Sequence, residues 1–190
     1  MKLRSFLLAI VGLIGLLAVG VVNALGSRAS DVSAPVATPK ADLVEYHVVG
    51  DSMAPTINDG DWLLARKNFK KLTPGLIVIM RYPKDETKVY VRRIEAVTGD
   101  RVVMKYYSNV KLTTVYSSPN PKGVVFPLSP APQGNAFGEY DATVTAGNLY
   151  VVGDNTAPGG SFDSDEWGLL PISDVIGVVE KRISPQPTNF

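Results

Sequence analysis

Val89-Tyr90-Val91-Arg92-Arg93-Ile94-Glu95-Ala96-Val97, halted at Gly99-Asp100, reads as a β-strand: β-branched and aromatic side chains dominate it, and a turn dipeptide ends it. Runs of the same kind recur on both sides, at Tyr46 to Val49, Trp62 to Ala65, Leu76 to Met80, Arg101 to Tyr107, Leu149 to Val152 and Val175 to Ile183. Gly, Pro, Asp and Asn punctuate them, and no long 3.6-residue period appears between them. The expectation is a mainly β domain over 42–190, built as a coiled sheet or a barrel-like closure that hides its edges. Residues 117–141, with Pro119, Pro121, Pro127, Pro130, Pro132, Gly134 and Gly138, read as a long surface insertion.

The N-terminus has a different composition. Lys2 and Arg4 precede the uncharged apolar run Phe6 to Val22, which Asn23-Ala24-Leu25-Gly26 extends to a length that just spans a bilayer core as a helix. Basic residues at its start keep that end cytoplasmic, so the rest of the chain is expected on the extracytoplasmic face of the cell membrane. Residues 1–26 therefore read as a cytoplasmic stub and transmembrane anchor, and 27–41, rich in Ser, Ala, Pro and Val, as a flexible linker. The competing reading is a cleaved secretory signal with Val22 and Ala24 at the cleavage site.

Bulk composition excludes several function classes. Lys and Arg total 19 against 18 Asp and Glu in 190 residues, a net charge of +1, and there is no basic block, so nucleic acid is not the expected partner. The absence of cysteine removes disulfides, a thiol nucleophile and thiolate metal sites. His47 is the single histidine, which excludes a multi-histidine metal site and reads as an ordinary surface or core residue. The residues carry no signal for an oligomeric state.

The chemistry starts at Gly50-Asp51-Ser52-Met53-Ala54-Pro55-Thr56. A serine hydroxyl needs a base and an oxyanion site to act as a nucleophile at neutral pH. Alone, this stretch reads more readily as a plain turn, since Asp and Ser both bond their own backbone in such places. Its value rises through its company: Tyr90-Val91-Arg92-Arg93 ahead of Gly99-Asp100, and Gly153-Asp154-Asn155 leading through Ser161-Phe162-Asp163-Ser164 to Trp167-Gly168 and Pro171.

With Gly60-Asp61-Trp62-Leu63, Pro74-Gly75-Leu76-Ile77-Val78 and Tyr82-Pro83-Lys84 between them, these motifs in this order resemble the bacterial type I signal peptidases. The resemblance covers nearly the whole chain. It implies a membrane-anchored serine endopeptidase that removes signal peptides from exported preproteins, with a Ser-Lys site, a β domain lying against membrane lipid, and no metal or organic cofactor. The family's nucleophile falls on Ser52. Ser161 matches the serine that supports the lysine, and Asp163 matches a structural aspartate, beside Asp154 and Asn155. The signal-peptide end is expected to add as a strand beside the nucleophile. Gly50, Asp51, Met53 and Tyr90 are then substrate-binding candidates. Met53 also reads as gap-filling core, and Trp62 and Trp167 read either as membrane-interface anchors or as core.

The departures from the family concern the base. Where the family strand has lysine, this chain has Arg92, which stays protonated and cannot accept the serine proton. Lys88 shares its strand face but lies about 13 Å away along the strand, beyond reach of a side chain of about 6 Å without a register change. The closing loop is longer, with Thr156-Ala157-Pro158-Gly159-Gly160 before Ser161, and Asp165 stands where the family has arginine. One expectation is that Arg92 takes over the role of that missing arginine and pairs with Asp163, Asp165 and Glu166. Two functions follow: an endopeptidase with an unconventional base, or an impaired signal peptidase-like protein that binds preproteins or assists a partner peptidase.

Overall fold

The computed structural model describes residues 42–126, 130–184 and 188–190. The anchor expected at 1–26 and the linker expected at 27–41 lie outside the described residues, among which no helix is long and apolar enough to cross a membrane. The regular structure of the described chain is mainly strand: β1 (Leu43–His47), β2 (Trp62–Arg66), β3 (Ile77–Tyr82), β4 (Asp85–Val97), β5 (Arg101–Tyr106), β6 (Lys111–Ser117), β7 (Asn120–Phe126), β8 (Gly138–Thr143), β9 (Asn148–Val152), β10 (Leu170–Pro171), β11 (Val175–Ser184) and β12 (Thr188–Asn189). One turn of α-helix, α1 (Ser164–Trp167), and a 3-10 turn at Ile172–Asp174 interrupt them.

The strands form two antiparallel sheets, one in the order β1-β2-β11-β3-β4-β9-β10 with β12 on β11, the other in the order β7-β6-β5-β8. Neither closes on itself, so the expected barrel-like closure is corrected to two open, bulged sheets. Bulges bend and twist a strand locally. They occur between Val179 and Lys181 on β11 and between Ile94 and Ala96 on β4, which lets the sheet coil without joining its ends. The segment expected as a surface insertion, 117–141, contributes β7 and the first residues of β8 to the second sheet.

Three apolar clusters fill the interior. Val48, Met53, Ile57, Leu63 and Ile79 pack under the Ser52 turn, Met80, Ile94, Val151, Trp167 and Leu170 under the middle of the large sheet, and Val102, Met104, Val115 and Tyr150 between β5, β6 and β9. Trp167 is core at 7% exposure, whereas Trp62 is exposed and stacks at a tilt on His47, with ring centroids 4.9 Å apart.

Two features of this packing position the site. Met53 and Ile57 are 1% and 0% exposed, and each side chain so buried contributes about 1.5–3 kcal/mol, which pegs the turn to the core. Strand β4 pairs with β3 between Asp85 and Arg93, in continuous register from Val89, but β9 joins it only from Arg93 onward. Its Val89–Arg92 portion therefore keeps one edge unpaired among the described residues.

Candidate active site

The turn after β1 carries Ser52 and is held at both ends by backbone and side-chain hydrogen bonds. Gly50 has φ +91°, a region that L side chains rarely adopt, and its N–H donates to Asp59 Oδ1 at 2.7 Å. The Ala54 N–H donates to the Asp51 carbonyl at 3.0 Å, and the Ile57 N–H to the Met53 carbonyl at 3.0 Å. From the far side, the Asn155 N–H donates to the Ser52 carbonyl at 3.1 Å and Asn155 Nδ2 to the Asp51 carbonyl at 3.1 Å. The closing loop thus clamps the nucleophile turn through residues expected to be structural.

Arg92 on β4 meets this turn. Its register with Val78 on β3 turns the side chain into the protein, where it is 4% exposed. Nη1 donates to Ser52 Oγ at 2.9 Å and to the Val91 carbonyl at 2.7 Å, Nη2 donates to the Phe162 carbonyl at 2.7 Å, and Nε is buried without a partner. The Tyr90 ring lies 5.1 Å from the guanidinium carbon, within cation–π range. Burial pulls the guanidinium below its ordinary pKa, opposed by Asp163, Tyr90 and Glu166. A guanidinium has no acceptor, so the contact with Ser52 has only one possible direction: the cation donates and the hydroxyl oxygen accepts.

The cation that serves the acidic loop is Lys111 on β6, which corrects the expectation that Arg92 pairs with it. Lys111 Nζ lies 3.5 Å from both Asp163 oxygens, 3.3 Å from Asp165 Oδ2 and 4.0 Å from Glu166 Oε1. Tyr106 O–H also donates to Asp165 Oδ2 at 2.7 Å. These three acids could crowd around a cation, since their oxygens all lie within 4.8 Å of one another, and the cation among them is Lys111. Burial first, then the bond to Asp165, push Asp163 up to about 6, while Lys111 and the Gly153 N–H hold it down. Ser161 donates to Asp163 Oδ2 rather than supporting residue 92. Asp163 also starts α1, with its own N–H donating to Glu166 Oε2 at 2.7 Å.

On the other face of β4, Arg93 forms a two-pronged pair with Asp154 and donates to the Gly75 carbonyl at 2.8 Å. Arg93, Glu95 and Lys111 border a cavity of about 280 Å³ on that side. Burial and the charge of Asp154 push Glu95 up to about 7. The remaining candidates divide clearly. Tyr90 lines the same groove as Ser52 and Arg92, Gly50 and Asp51 are exposed in the turn, and Met53 packs into the core beneath it. Lys88 is exposed and paired with Asp85 at 3.3 Å.

Sequence reasoning missed Lys111 because β6 turns Lys111 and Thr113 inward ahead of Val115, so polar residues occupy the buried positions and mask the alternation. The available signal was the β-rich run Leu112-Thr113-Thr114-Val115-Tyr116 beside a lone lysine.

Comparison with known proteins agrees with the order of these parts. The family model for signal peptidase, peptidase S26, matches residues 34–183. Signal peptidase I of Bacillus caldolyticus is 27% identical over 155 residues, covering 74% of this chain and 79% of that protein. A probable signal peptidase I-1 of Synechocystis is 30% identical over 149 residues, covering 73% and 70%. Mitochondrial ATP-independent inner membrane protease subunit 1a of Arabidopsis thaliana is 29% identical over 143 residues, covering 73% and 69%. Since the matched span holds the Ser52 turn, the Arg92 strand and the acidic loop together, the chain belongs to the signal peptidase I family, a family of peptidase hydrolases.

Proposed function

We propose that this chain is a membrane-anchored signal peptidase-like protein that recognises the signal-peptide end of exported preproteins on the extracytoplasmic face, and that it holds Ser52 without a base. The observation that carries the reading is the Arg92 Nη1 hydrogen bond to Ser52 Oγ. A base must accept the serine proton, whereas the guanidinium donates to the oxygen and withdraws electron density from it. General-base assistance is worth on the order of 10²- to 10⁴-fold.

Peptide recognition remains supported where catalysis is not. The groove beside Ser52, about 180 Å³, runs between Tyr46 to Val49 at the end of β1 and Val89 to Arg92 on β4. β1 pairs only with β2 among the described residues, so both walls offer strand edges to an extended peptide. Around this groove Val49 is 85%, Val89 48% and Phe162 46% exposed, an apolar rim suited to a surface that rests on lipid.

A second reading, an active endopeptidase, has one observation in its favour: His47, whose imidazole is a possible proton acceptor, lines the groove together with Ser52. Cleavage of a preprotein by the full chain separates the two. The proposal expects no difference between wild type and Ser52→Ala, and a gain of cleavage in Arg92→Lys. Wild-type cleavage lost in both Ser52→Ala and His47→Gln would establish the second reading instead.

A further inference from the structure

We propose that the Ser52–Arg92 pair is a receptor for the free α-carboxylate of a peptide, so that the chain binds the cut end of a signal peptide in preference to the intact preprotein. The inference rests on the reading that this groove takes signal-peptide ends, and it names the chemical group that the groove selects.

Charge balance is the first argument. Arg92 is a buried cation with no carboxylate within ion-pair distance among the described residues, because Lys111 serves Asp163, Asp165 and Glu166, while Asp154 serves Arg93. A buried charge without a counter-ion is costly, and the cost falls when an anion arrives. The guanidinium has five N–H donors, of which Ser52, Val91 and Phe162 take three, leaving two unspent.

The second argument is the polarity of Ser52. Its oxygen accepts from Arg92, and the hydroxyl proton has no acceptor among the described residues. A hydroxyl polarised in this way by a cation is an improved donor, the opposite of a nucleophile. It lines the groove with Arg92 behind it, so a group placed there meets an O–H donor backed by a positive charge. The carbonyl of an uncut peptide uses only the neutral part of this arrangement, whereas a carboxylate uses the hydrogen bond and the charge together.

The third argument is reach. A peptide added parallel to the Val89–Arg92 edge of β4 would run towards Ser52 and bring its last residue to the Arg92 side chain. Cutting converts the carbonyl of that last residue into the carboxylate the pair is built to receive. The class of reaction that supplies the ligand is therefore peptide-bond hydrolysis, carried out by another peptidase.

Binding of three fluorescein-labelled peptides to the full chain in detergent micelles tests this. One is an apolar ten-residue peptide ending Ala-Ser-Ala with a free carboxylate, the second is its C-terminal amide, and the third is an amide with glutamate in the last position. The free acid is expected to bind about tenfold to a hundredfold tighter than either amide. Arg92→Met should abolish the preference, and Ser52→Ala should weaken it severalfold; the wild-type ratio needs no variant to be read. Equal binding of acid and amide overturns the carboxylate receptor and leaves signal-peptide recognition standing. Tight binding of the glutamate amide overturns the assignment to a chain terminus. Binding of none of the three overturns both the receptor and the reading it rests on.

Discussion

Replacing Lys111 by methionine removes the cation of the acidic loop while keeping most of the side chain's volume. Lys111 is 7% exposed at its side chain, and the Asp163 and Asp165 side chains are 0% exposed, so the variant leaves two buried carboxylates with no cation in ion-pair range. Breaking a buried pair from one side costs about 3–5 kcal/mol. For a domain of this size, each kcal/mol lowers the melting temperature by about 2–4 °C, which places the variant about 6–20 °C below wild type. The pH dependence is more diagnostic than the size. Asp163 titrates at about 6 in the folded protein against an ordinary 3.8, even with Lys111 holding it down. A carboxyl whose folded pKa is raised favours folding below its unfolded value and loses that contribution as pH rises through the folded value. Without Lys111 the folded pKa of Asp163 moves higher still, so acidification from pH 8 to pH 5 neutralises Asp163 and narrows the gap to wild type. Urea denaturation of both proteins across that range, followed by tryptophan fluorescence, measures it; Trp167 lies in α1 itself. A loss below about 1 kcal/mol at pH 8, or a gap that widens on acidification, refutes the buried-pair reasoning.

Other residues give sharp expectations. A Cβ at Gly153 would lie 2.3 Å from the Ser52 carbonyl oxygen and 2.5 Å from Ser161 Cβ, so Gly153→Ala should destabilise by about 1–3 kcal/mol in a denaturant titration and weaken peptide binding by displacing the turn. Glu95 is raised to about 7, mainly by burial, so its protonated carboxyl favours folding below pH 4.5, a contribution lost as pH rises through 7. Glu95→Gln, a mimic of the protonated form, should therefore stabilise by up to about 3 kcal/mol at pH 8.5 and be close to neutral at about pH 4, as read by melting temperatures. Arg93→Met strands Asp154 beside the residue that clamps Ser52, and hydrogen exchange at the Asn155 amide should quicken by at least tenfold while that of β11 stays unchanged.

What was legible in the sequence followed from side-chain patterning. Strands β2, β3, β4, β5, β9 and β11 carry Val, Ile, Leu and aromatic residues where they meet the core, and each was expected within a few residues of its place. β7 and β8 were hidden because Asn120-Pro121-Lys122-Gly123 and Gly138-Glu139 read as turn material, yet pairing with β6 and β5 holds them extended. Barrel-like closure was expected from a general need to hide edges, and nothing in one strand's composition states which partner it will find. At the site, Ser52 and the arginine at 92 were legible as types and as neighbours. The direction of the hydrogen bond between them follows from the arginine alone. That Lys111, more than fifty residues from Asp163, neutralises the acidic loop depends on the β5–β6 pairing and has no local signature.

The central claim is that Ser52 is an unactivated hydroxyl held by a cation, and its reactivity tests this most directly. The full chain is treated with a fluorophosphonate, which phosphonylates activated serines, and adduct formation at Ser52 is followed by mass spectrometry in wild type, Ser52→Ala and Arg92→Lys. The account predicts that wild type labels no faster than Ser52→Ala at pH 7–9, and that Arg92→Lys labels at Ser52 at least tenfold faster, more so as pH rises and the lysine loses its proton. Rapid, stoichiometric labelling of Ser52 in wild type, slowed by Arg92→Lys, would contradict it.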